Sequence, residues 1–186
     1  MLAVAPVEIR AFAKGFQKWD PFFVRQGGKV YNATVTVFNY YESAAARFWY
    51  PHVLSRVHLE TDRGQIIKKY GPDGTDNAEL HIAYIERDGQ KTIADAAGKA
   101  LVWLPPKAWA KQINDDLVGS ITFNPAADFF WAGAWTGGIP INDADYTDRR
   151  DEGFMAYMQR TEDFVFLVST VGGPYSVIPH FEILGK

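Results

Sequence analysis

Cysteine is absent from the chain. That excludes disulfides, thiolate metal sites and cysteine nucleophiles, and it says nothing about redox compartment. Excess charge is almost as scarce: the formal net charge is -3 and the pI near 5.8, with acidic and basic residues intermixed. Nucleic-acid binding, which wants clustered Lys and Arg, has no electrostatic support. Long apolar runs are missing too, and the start at Met1-Leu2-Ala3-Val4-Ala5-Pro6 lacks the basic region and apolar core of a signal peptide. A soluble protein, cytoplasmic by default, is expected. Neither an internal repeat nor a low-complexity linker divides the 186 residues, so residues 1–186 read as one domain, long enough to bury about 70% of the surface an unfolded chain exposes.

What the chain has in excess is rings: six Trp, nine Tyr and thirteen Phe, 15% of all residues. Aromatic side chains bring large contact area with few rotors, so a surplus serves a core, a ligand cavity, a sugar-stacking platform or a membrane-facing rim.

The chain is organised around its last stretch, Asp163 to Leu184. Phe164 to Val168 and Val171 are apolar, Gly172-Gly173-Pro174 interrupts, and Tyr175, Val177, Ile178, Phe181 and Ile183 resume. β-branched and aromatic residues bounded by Gly and Pro are the signature of a hairpin. Apolar residues at nearly every position predict central strands covered on both faces.

Ahead of it, Val30 to Tyr40 alternates as a half-buried strand, and Val53 to Thr61 alternates again. Gln65 to Tyr70 reads as a pairing strand, Leu80 to Tyr84 as another, and Asp88-Gly89 as a hairpin turn. Ala100 to Leu104 and Ser120 to Phe123 add strands. Glu42 to Arg47 holds an alanine triplet suited to a helical turn, and Lys107 to Leu117, behind Pro106, suits a short helix. Two segments fit either period. Val7 to Trp19 reads as helix or strand, and Gly153 to Arg160 leans to strand because the connection after it is hairpin-length. The sum is a mainly β chain: a single-domain antiparallel β-sandwich or β-barrel with one to three short helices.

Three stretches suggest chemistry. The segment Phe129, Phe130, Trp131 and Trp135, read as a loop or short helix between Asn124-Pro125 and Gly137-Gly138, suits the wall of an apolar pocket or a sugar platform, with Trp103, Trp109 and Trp49 as further walls. Plugging the core is its plainer use. The loop Asn142 to Glu152 has oxygen donors at Asp143, Asp145 and Thr147, but Asp148 and Phe154 stand where an EF-hand needs Gly and Glu. It reads as a solvated loop neutralised by Arg149 and Arg150. Finally, His58-x-Glu60, His81 and His180-x-Glu182 lie on strands, each pair on one face. Three distant histidines meet only if their strands are neighbours in register, so no metal site and no cofactor is assigned.

Tyr175, His180, Glu182, Asp128 and Tyr84 lie near apolar surface and are the groups suited to acid–base work. No nucleophile elbow, phosphate loop or zincin pattern occurs. The leading expectation is therefore a binding protein for a small apolar molecule or carbohydrate. A membrane-surface or protein-interaction module using an amphipathic Val7 to Trp19 is the second. A barrel cyclase, isomerase or lyase acting on an apolar substrate is the third.

Overall fold

Ala33–Glu42 (β1) and Arg47–Glu60 (β2) pair antiparallel, with Glu42 opposite Arg47, in a computed structural model that describes residues 31–71 and 75–186. The alanine triplet expected as a helical turn is their tight connection. The Ser43 hydroxyl accepts from the backbone N–H groups of Ala45 and Ala46, and a side chain that closes a turn outcompetes alanine's helix propensity.

β2 does two jobs. Opposite Ala33 and Thr34 its register slips, and Arg56 takes a positive φ of 57°. A bulge of this kind bends a strand and strengthens its twist. Before the bend β2 pairs with β1; beyond it, His58, Leu59 and Glu60 pair with Ala78–Ala83 (β3). Val165–Tyr175 (β10) divides in the same way. It pairs first with Phe129–Trp131 (β8), passes an irregularity between Val168 and Thr170, and then pairs with His180–Gly185 (β11). Since β11 also pairs with β3, and β8 with β1, six antiparallel strands close into a ring in the order β1, β2, β3, β11, β10, β8. Ile141–Asn142 (β9) adds to the first half of β2.

The second sheet is Ile85–Arg87 (β4), Gln90–Ala94 (β5), Ala100–Trp103 (β6) and Ser120–Ile121 (β7), with β4 and β5 turning at Asp88-Gly89 as expected. Only β6 and β7 run parallel among these pairings. The mainly β expectation holds, and Asn32–Lys186 forms one compact unit. Val7 to Trp19 lies outside the described residues.

Four further local expectations fail. Gln65 to Tyr70 belongs to a helix, Arg63–Tyr70 (α1), because Asp62 caps it by accepting from Gly64 N and Lys68 and Lys69 suit its C-terminal end. Lys107 to Leu117 is broken into Pro106–Trp109 (α2) and Asp115–Val118 (α3), with Asn114 at a φ of 53° between them. Gly153 to Arg160 is helical, Phe154–Thr161 (α4), since Phe154 and Met158 four apart supply the buried stripe. The C-terminal hairpin is central, but it turns at Ser176 to Pro179, and Gly172 to Pro174 continue β10 through an irregularity. Phe166 and Val168 are buried on one face, and half-buried Val165 packs on the apolar group of the other, so cover on both faces is confined to the first half of β10 and is unequal.

Residues alternate between two cores. Val35, Val37, Leu54, Leu80, Phe130, Val168 and Phe181 pack with Ile93, Leu101 and Ile121 of the second sheet. On the opposite face of β1 and β8, Phe38 and Phe129 stack at 4.5 Å and meet Phe154 and Met158 of α4. A smaller group gathers Tyr50, Trp109 and Leu117. Asp128, fully buried, ties β1 to the chain before β8: its carboxylate accepts from Asn39 Nδ2 at 2.9 Å, Tyr40 N at 2.9 Å and Asn124 N at 2.7 Å.

Two buried groups make stability depend on pH in opposite senses. Burial raises the Asp128 carboxyl to about 7, against the hydrogen bonds that pull it down. Burial, helped by Lys99, lowers His52 to about 3. The folded chain therefore holds the Asp128 proton more tightly than the unfolded chain, and that stabilisation is lost as pH rises from about 4 through about 7. The His52 contribution runs the other way and is lost as pH falls from about 6.5 towards 3. Relative to wild type, Asp128→Asn should lose stability more steeply on acidification across this window. His52→Leu should lose more on going from pH 4 to 7. Urea midpoints at both ends, compared with wild type, check the two signs.

Candidate functional site

The bend in β2 and the central position of β11 bring the distant histidines together. His58 lies directly opposite His81, and His81 directly opposite Glu182, so β2, β3 and β11 place three polar side chains in one row. Their neighbours in sequence, Val57, Leu80, Ile82, Phe181 and Ile183, point into the core, which puts the row on the other face. Two residues along β11, on the same face, His180 lies opposite Tyr175 of β10. Four rings thus cross four strands, with centroid separations of 5.0 Å for Tyr175 and His180, 5.4 Å for His180 and His81, and 5.6 Å for His81 and His58.

Carboxylates and one ammonium surround this ladder. His81, 3% exposed, donates from Nε2 to Glu79 Oε1. Lys69, near the end of α1, reaches Glu79 at 2.7 Å and Glu182 at 3.0 Å, and the Tyr70 hydroxyl donates to the same Glu182 oxygen. His180 donates from Nδ1 to the Ile178 carbonyl at 2.7 Å. Burial works against the Lys69 ammonium, but its bonds to Glu79, Tyr70 and Glu182 outweigh that and raise its pKa. Glu182 shows the same contest: burial pushes it up, and Tyr70 and Lys69 bring it below the usual carboxylate value. Tyr70 is raised, first by burial and then by its bond to Glu182.

One donor atom from each of His81, His180 and Glu182 falls within 4.8 Å of the others. Of the three histidines that the sequence reading asked to converge, two do so with Glu182, and His58, opposite His81 on β2, is outside this group. Of the acid–base candidates, Tyr175, His180 and Glu182 are gathered here; Tyr84 is buried on the opposite face and donates to the Tyr175 carbonyl at 2.8 Å. Asp128 is elsewhere, in its structural network. Glu79, Lys69 and Tyr70 were missed. Glu79 lies just before the strand predicted from Leu80 and belongs to β3, and the other two sit in a segment read as a strand.

The aromatic segment has a different setting. Phe129 to Trp131 is β8, a strand in place of the expected loop or short helix, because β1 and β10 offer pairing partners on both its edges. Phe129, Phe130 and Trp109 are fully buried in the three apolar groups, and Trp103 is half-buried against Phe181. Trp131 and Trp135 are half-buried, each folded back over the glycine two residues on. Trp49 is a wall of the α4 core, its Nε1 donating to Asp143 at 2.7 Å. Asp143 also accepts from Phe154 N, so the acidic loop is held from inside the fold; Asp151 binds Arg160 of α4, not Arg149 or Arg150, with its closest approach at 2.6 Å.

Residues 30–186 match the model of the family described as "Family of unknown function (DUF6751)". The chain belongs to that family. No curated protein and no solved structure matches it. Among the described residues of this DUF6751 member, no helix is long and apolar enough to cross a membrane. The histidine–carboxylate face thus has to be interpreted from its own chemistry.

Removing Glu79 should expose how far that face is coupled. Glu79→Ala removes the carboxylate that the buried His81 ring donates to and leaves Lys69 with Glu182, and it should cost about 2 kcal/mol, less than a fully buried pair because Lys69 is partly solvated. Glu42→Ala, which breaks only the exposed pair with Arg47, should leave the urea midpoint unchanged.

Proposed function

We propose that this face binds a divalent transition-metal ion, with His81, His180 and Glu182 as ligands. The observation that carries the reading is the convergence of their three donor atoms within 4.8 Å. Two imidazoles and a carboxylate suit zinc, cobalt, nickel or iron, and three protein ligands leave an open position for water or another molecule. The surroundings support it. Metal-binding histidines are commonly oriented by a carboxylate or backbone carbonyl on the other ring nitrogen, and Glu79 and the Ile178 carbonyl stand in those places. With Nδ1 committed to that carbonyl, His180 presents Nε2.

Lys69 opposes a second cation, as its ammonium already balances Glu79 and Glu182. Calorimetric titration with zinc or cobalt chloride should give one site per chain. His81→Ala, His180→Ala and Glu182→Ala should each weaken binding by more than about 100-fold, and Glu79→Gln by about tenfold through ligand orientation. Lys69→Gln should tighten it by roughly tenfold, since one positive charge is removed from beside the ion. An absence of heat and of retained metal after desalting would end the proposal.

A second reading concerns Trp131 and Trp135 as a platform for a small apolar molecule or a sugar. It is favoured by their half-burial beside Phe164, which is 58% exposed and whose carbonyl accepts from Ala132 N. Hydrophobic dyes or common glycans should then shift tryptophan fluorescence. Wild-type emission that stays constant through the titrations removes this reading.

A further inference from the structure

The three-residue metal site has a neighbour that neither histidine nor carboxylate chemistry accounts for. Tyr175 begins the ring ladder, directly opposite His180 and 5.0 Å from it between centroids. The place its hydroxyl occupies is set by a glycine. Gly172 lies opposite Glu182, and a Cβ added there would stand only 2.6 Å from Tyr175 Oη. Paired residues on adjacent strands project to the same face, so this hydroxyl lies over the row that runs through Glu182 to His81. Any side chain at position 172 would fill that place.

Resting on the metal reading above, we infer that the Tyr175 hydroxyl is a fourth donor to the same ion, completing a set of two imidazoles, one carboxylate and one phenol oxygen. Adding an anionic oxygen makes the set harder. The site then takes ferric iron as well as divalent ions, because the hard phenolate favours the higher charge. On binding, the O–H proton of Tyr175 leaves to solvent and the phenolate oxygen forms the bond to iron; no electron is transferred. Tyrosine oxygen holds iron in some haem proteins, so the bond has precedent in protein chemistry. The ring is 45% exposed, and its hydroxyl can move onto an ion without unpacking the core.

The experiment uses the full chain and two probes, cobalt chloride and ferric nitrilotriacetate. Wild type should bind cobalt and, with the ferric chelate, develop the visible charge-transfer band of an iron–phenolate bond. Tyr175→Phe should lose the band and bind cobalt several-fold more weakly than wild type, a smaller loss than removal of His81, His180 or Glu182. Gly172→Ala should lose the band too, because its methyl group displaces the hydroxyl; the half-exposed Tyr175 ring can swing aside, so this variant should fold. Glu182→Ala should lose both signals. Cobalt binding with no ferric band, or a band that survives in Tyr175→Phe, overturns the role of Tyr175 and leaves the three-residue site standing. Failure of both probes to bind wild type overturns the two together.

Discussion

Everything in this protein depends on two strands that each serve two partners. A sheet of short strands leaves rows of unpaired N–H and C=O groups at its edges, and closure into a ring is the arrangement that removes them. Here β2 and β10 make closure possible by bending partway, β2 at the left-handed Arg56 and β10 at the irregularity before Thr170. Without those bends β1 and β8 would have no route to β3 and β11. The buried Asp128 carboxylate, bonded to Asn39, Tyr40 and Asn124, fastens β1 to the segment that enters β8.

Closure also sorts the side chains. On β1 and β8 the outward positions carry Phe38 and Phe129, and α4 covers them. On β2, β3 and β11 the outward positions carry His58, Glu79, His81, His180 and Glu182, and the last turn of α1 reaches them with Lys69 and Tyr70. The two outer faces differ so sharply because each strand alternates, and the bends decide which residues of a long strand face α4 and which face α1. Among the described residues, the aromatic surplus is spent chiefly on the first of these faces and on the interior. The chemistry gathers on the second.

That second face explains why the rings most conspicuous in the sequence are not those around which the candidate site is built. Phe129 and Phe130 are adjacent and equally apolar, yet they point into different cores because they sit on one strand. His81 and His180 are separated by ninety-nine positions and lie 5.4 Å apart. Counting aromatic residues finds the packing; finding the histidine ladder requires the register of β2, β3 and β11. Helices were the other weak point. α1 and α4 are short, and in such segments a cap at Asp62 or an apolar stripe from Phe154 to Met158 outweighs the alternation that reads as a strand.

The sequence by itself determined the mainly β class, most of the strands, the Asp88-Gly89 hairpin and the central place of the C-terminal pair, because alternation and turn chemistry act between near neighbours. It also determined which residue types were on hand: histidines and carboxylates on strands, no thiols, and a surplus of rings. Tertiary structure alone decided that the sheet closes, that Arg56 bends β2, that α4 is a helix, and that His58, His81, His180, Glu182 and Tyr175 share a face. Pairing between strands far apart in the chain depends on where bulges place the register, and a shift of one residue would have turned every one of these side chains to the opposite side.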